Sequence, residues 1–70
     1  MAKLFIVDGY WKNDNTPIHD YLITETEEIP SGYSDGQIFY AGLTEPMIMN
    51  SVNDSFLEFA ILDYNIVLEY

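Results

Sequence analysis

Hydrophobic and polar positions along this chain fall into short runs that predict strands more often than helices. The first run, Leu4-Phe5-Ile6-Val7, is apolar on both faces, which suits an inner strand covered on both sides. A strand is predicted over Lys3–Lys12. Asp8-Gly9 interrupts it, and glycine inside a strand pattern marks a bulge or a close backbone approach. Tyr10, Trp11 and Lys12 resume the run with amphipathic side chains. Asn13–Pro17 is rich in turn-forming residues, and a returning strand over Ile18–Glu25 completes a hairpin. The alternation of that second strand is too irregular to assign its faces.

An acidic loop with two glycines and one proline follows over Thr26–Gly36, leading to a compact third strand over Gln37–Ala41. Thr44 is then a suitable N-cap, Glu45 suits the positive end of a helix dipole, and Pro46 is tolerated in a first turn. A helix is predicted from Glu45 to Val52, with Ile48, Met49 and Val52 as a narrow apolar stripe. Asn53-Asp54-Ser55 ends it. Phe56–Leu62 reads as a strand, and Asp63-Tyr64-Asn65 is either a turn into a fifth strand over Ile66–Tyr70 or a bulge within one long strand, the latter being favoured. The expectation is an α+β domain: a small antiparallel β-sheet ordered β-β-β-α-β, with one short helix packed on one face. The other face must be solvated, dimerised or covered by a partner, and the many aromatics argue for one of the last two.

Seventy residues form one domain, 1–70, and a chain this short buries only about 60% of its unfolded surface. At 49% hydrophobic and 16% aromatic, it lies far from disordered composition. There is no cysteine, which excludes disulfides, zinc–thiolate sites and a thiol nucleophile. No apolar run approaches the roughly 20 residues that span a bilayer, and no basic-then-apolar leader is visible. A cytoplasmic location is expected, that of the host if the chain is phage-encoded.

Charge changes the picture most. The net charge is −10, the only basic side chains are Lys3 and Lys12, and Asn13–Tyr70 holds eleven carboxylates with neither lysine nor arginine. Such a chain is steered toward positively charged surfaces. Direct binding to nucleic acid or to an anionic membrane is disfavoured.

Candidate chemistry is sparse. His19-Asp20 is the one histidine beside an acid, but strand neighbours point to opposite faces, so a surface histidine is the simpler account. The serines lie in turns or near the helix, where local backbone bonding explains them. Glu25, Glu27 and Glu28 could gather a weak, nonspecific cation, yet no segment has the spacing of a calcium loop. Neither an enzymatic activity nor a cofactor is expected.

In outline, the opening strand ending Gly9-Tyr10-Trp11-Lys12, the polar hairpin loop, Ile38-Phe39-Tyr40, the short helix and the closing strand resemble small acidic phage-encoded anti-defence inhibitors, the anti-CRISPR-like proteins among them. The resemblance implies a protein that binds one target and blocks it, and it transfers no site residue by position. Joined to the charge, it gives the first functional expectation: a non-enzymatic inhibitor whose acidic, nucleic-acid-mimicking surface docks on a basic host defence effector or nuclease. Asp14, Glu25, Glu27, Glu28 and Asp35 would steer and form the rim. Tyr10, Trp11, Tyr33 and Tyr40 would be anchors, because aromatic side chains dominate interface energetics. Two alternatives stand beside it: a homodimeric structural or adaptor module with no inhibitory role, and acids that merely keep a small sticky protein soluble.

Overall fold

The computed structural model describes residues 1–70. Its strands are β1 (Lys3–Trp11), β2 (Pro17–Thr24), β3 (Ile38–Ala41) and β4 (Phe59–Glu69), joined by a 3₁₀ turn at Asp35–Gln37 and by α1 (Glu45–Met49). The sheet order is β3-β2-β1-β4. The apolar first run therefore occupies an inner strand, as its two-sided hydrophobicity requires.

β1 pairs antiparallel with both β2 and β4, but β2 and β3 run parallel. The sheet is mixed, which corrects the expectation of a wholly antiparallel one. The reason is the connection over residues 25–37, which carries the chain back along the sheet before β3 begins. Parallel neighbours need a crossover of about a dozen residues or more, and the acidic loop has that length.

Phe5, Val7, Ile18, Ile23, Phe59 and Ile61 form the core face, with Leu43 and Ile48 from the covering segment packed against them. The helix is shorter than the apolar stripe suggests. Ile48 is buried while Val52 is 44% exposed, and the chain turns after Asn50. The Ser51 amide bonds the Ile48 carbonyl, and the buried Ser51 hydroxyl accepts the Ile61 amide at 2.8 Å. Turning Ser51 inward diverts the chain from the helical path. Thr44 does precede the helix, but as a backbone cap without a side-chain bond.

The last strand is one continuous element starting at Phe59 rather than Phe56, and Ile66–Tyr70 adds no fifth strand. Against β1, Gly9 pairs with Ile61 and Asp8 with Asp63, while Leu4 pairs with Leu68 and Phe5 with Ile66. Leu62 and Val67 are thus extra residues at two bulges.

On the other face, Leu4 is fully buried, although strand alternation points it away from Phe5. The crossover is tied down at this same end of the sheet. Pro30 is buried, the Glu25 amide bonds the Lys3 carbonyl, and the Tyr70 hydroxyl donates to the Glu28 carbonyl. These bonds fasten the crossover and the C-terminus to the Lys3 end of the sheet. No helix is long and apolar enough to cross a membrane.

Candidate protein-docking surface

The hairpin end of the sheet gathers three of the residues expected at an interface. Trp11 is half-buried and meets Phe39 and Phe59 edge-on, with ring centroids 5.6 and 6.1 Å apart. Tyr40 lies 5.8 Å from Phe59 and remains exposed. These aromatics line an apolar groove of about 290 Å³. Beside it, Trp11, Asp14, Leu57 and Glu58 border a larger, more polar cleft of about 720 Å³. The Asp14 carboxylate accepts the Thr16 amide at 3.0 Å, and the Thr16 bonds hold its acid below the ordinary value.

The sequence reading missed the most protruding member of this end. Phe56 is 93% exposed, because its amide closes an Asx turn on the Asp54 carboxylate at 2.8 Å. Asn53-Asp54-Ser55 carried that signal, since an Asx turn ahead of an aromatic displays it instead of starting a strand.

The remaining expected residues lie elsewhere. Exposed Glu27 and Glu28 and half-buried Glu25 sit at the far end, beside Lys3 and the C-terminus through the bonds given above. Lys3 and Trp11 bound a nine-residue strand, so roughly 26 Å of β1 separates the two ends at about 3.3 Å per residue. Tyr33 is half-buried, with its amide on the Pro30 carbonyl. Asp35 is exposed at the start of the 3₁₀ turn, beside the β3 edge. Tyr10 is half-buried within β1, paired between Pro17 and Ala60, and projects little as an anchor. The expected set is split between two ends of a molecule 33 Å long.

Both basic side chains are committed internally. Lys3 Nζ donates to Glu45 Oε1 at 3.0 Å, and the Tyr64 hydroxyl donates to Glu45 Oε2 at 2.7 Å. The Tyr64 bond first, and Lys3 next, hold the Glu45 acid below its usual range. Reciprocally, Glu45 raises both Lys3 and Tyr64. Lys12 Nζ donates to the Asp54 main-chain carbonyl, which fixes the Asx turn below Phe56. Lys12, bonded to a neutral carbonyl, keeps its charge in the cleft beside Asp14 and Glu58, and Lys3 also faces Glu25 and Glu69, whereas the exposed acids Glu27, Glu28, Asp35 and Asp63 have no lysine bonded to them.

A separate cluster lies on β2. Two residues, His19 and Asp20, oppose the single residue Asp8 between the pairs Val7–Tyr21 and Gly9–Ile18. Asp20 adopts φ 56° at this bulge. The bulge cancels strand alternation, so the neighbours His19 and Asp20 converge where opposite faces were expected. His19 Nδ1 lies 2.9 Å from Asp8 Oδ1 and Nε2 lies 3.3 Å from Asp20 Oδ2. The Asp20 amide donates to Asp8 Oδ1 at 2.9 Å. Of the titratable groups, these three have the donor types and proximity to hold a metal ion.

Compared with protein-family models, curated proteins and solved structures, the chain matches none.

Proposed function

We propose that this protein is a non-enzymatic inhibitor that occupies a basic, nucleic-acid-binding surface of another protein, a defence effector or nuclease in keeping with the class it resembles. The observation that carries the reading is the imbalance at the surface, where eight exposed carboxylates face two half-buried lysines, one of them paired with Glu45. Like charges held apart on a rigid sheet attract a cationic groove over long range. Affinity then comes from apolar contact, which the hairpin end supplies in Phe56, Tyr40 and the edge of Trp11, with Asp14 and Glu58 at the rim. The acids at the far end act mainly on the encounter rate.

The test is titration of the purified chain against basic nucleases and nucleic-acid-binding effectors at several salt concentrations, with labelled nucleic acid as competitor. Binding that weakens with salt and displaces the nucleic acid supports inhibition by occupancy. Salt-independent binding, or a ternary complex that retains the nucleic acid, overturns it.

A second reading, self-association, is favoured by one observation. β4 is an edge strand that exposes Leu62, Ile66, Val67 and Leu68, and a long apolar edge invites strand pairing. Its two bulges and the repulsion between two chains of charge −10 oppose it. Light scattering across a concentration series separates the readings: a dimer abolished by Ile66→Lys supports this one, and a monomer throughout removes it.

A further inference from the structure

We propose that Asp8, His19 and Asp20 form a binding site for a divalent transition-metal ion of the zinc class, held by one imidazole nitrogen and two carboxylates. The inference rests on the β2 bulge and is independent of the docking surface. Three ligand atoms, one from each residue, lie within 4.8 Å of one another, and metal–ligand distances of about 2.0–2.2 Å require these side chains to turn until the three atoms share one centre, a movement open to the exposed His19 and Asp20.

The histidine distinguishes this cluster from an ordinary patch of acids. Each of its ring nitrogens faces a carboxylate oxygen. A neutral imidazole has one N–H donor and one lone pair, so one of these contacts sets an acceptor against an acceptor. That contact is repulsive until a cation lies between the two atoms. A proton on the ring satisfies it, and so does a metal ion on the nitrogen lone pair, joined by the carboxylate that faces it and by the second carboxylate once that side chain turns from the other nitrogen. The neighbourhood attracts a cation: the chain carries −10, and both lysines are bonded elsewhere.

The donor set selects the metal. Calcium and magnesium prefer all-oxygen shells, whereas an imidazole with carboxylates suits zinc, cobalt or nickel. The Asp8 carboxylate is oriented in advance by the Asp20 amide, an outer bond of the kind that fixes ligands in protein metal sites. With His19 and Asp20 largely exposed, water completes the coordination shell and leaves positions open.

The experiment is titration of the full chain with Co²⁺, read by visible absorption, followed by displacement with Zn²⁺ and by calorimetry in two buffers to count protons released. The expected result is one site per chain, with nitrogen-ligated cobalt bands and affinity lowered at least tenfold in His19→Ala and Asp8→Asn. The control variant Glu27→Gln/Glu28→Gln binds as the parent does. His19 is a surface side chain, so circular dichroism should show the variants folded, and Asp20→Asn provides a third, milder ligand change. Uptake that is multiple, or insensitive to His19→Ala, or lost equally in the Glu27/Glu28 control, would mean nonspecific counterion binding and overturn the site.

Discussion

The hydroxyl of Ser51 holds β4 at Ile61: it accepts the Ile61 amide at 2.8 Å and points its own hydrogen toward the Ile61 carbonyl at 3.4 Å. Both residues are buried, so this one side chain stitches the covering segment onto the sheet. Ser51→Ala leaves the Ile61 amide unpaired away from water, at a cost of about 1–3 kcal/mol. Total stability for a chain of this size is roughly 4–10 kcal/mol, so the loss is visible as a lower midpoint in urea unfolding. An unchanged midpoint would mean that the amide finds another partner.

Gly9 is the most constrained position in β1. A Cβ there would stand 1.8 Å from the Ala60 carbonyl oxygen, which is backbone and cannot swing aside. Gly9→Ala therefore forces β1 and β4 apart at the bulge and should cost at least about 3 kcal/mol, the upper range for overpacking. Loss of the near-ultraviolet signal of Trp11 together with a collapsed unfolding transition checks this. A variant as stable as the parent would show that the close approach is not needed.

These two positions show what could be read in advance and what could not. Gly9 within an apolar run signalled a bulge or close approach, and it lies at both. Leu4–Val7 signalled an inner strand, and Thr44-Glu45-Pro46 signalled a helix start, because each is a local pattern. The parallel β2–β3 pair was hidden because the length of the acidic loop, not its composition, decides whether the chain returns before β3. Phe56 was misplaced because an aromatic favours strands in general, while one Asx bond from Asp54 decides the local geometry. His19 and Asp20 were assigned to opposite faces because a bulge depends on pairing with Asp8, which sequence adjacency does not show. The docking residues divided between two ends for the same reason: charge and aromaticity name candidates, and only topology says which share a surface.

Charge reversal should separate steering from contact in the proposed complex. Glu27→Lys/Glu28→Lys, at the end remote from Phe56, is expected to slow association about tenfold or more at low ionic strength and to flatten its salt dependence. The dissociation rate should change little. Phe56→Ala, in contrast, should speed dissociation and leave the salt slope intact. Stopped-flow kinetics with a basic target that binds the parent chain resolves the two. Equal effects of both variants on dissociation would place the acidic loop inside the contact.

The Lys3–Glu45–Tyr64 group predicts a stability contribution with an acid and an alkaline limit. Glu45 is held below its usual value, so its contribution is present above about pH 4.3, the unfolded value, and fades as pH falls through the folded one. Lys3 and Tyr64 are both raised. Their contributions are complete below about pH 10, where both are protonated even when unfolded, and are lost as pH rises through the raised values. Acidification also relieves repulsion among the other carboxylates, which acts in the opposite sense on the whole protein. The informative quantity is therefore the stability difference between the parent and Glu45→Gln. That difference should be largest between about pH 5 and pH 9 and shrink on both sides. Absorbance titration gives an independent check, because Tyr64→Phe should remove a tyrosine that ionises above the ordinary value. A difference that stays flat from acid to alkali would show that Glu45 acts through packing and not through its charge.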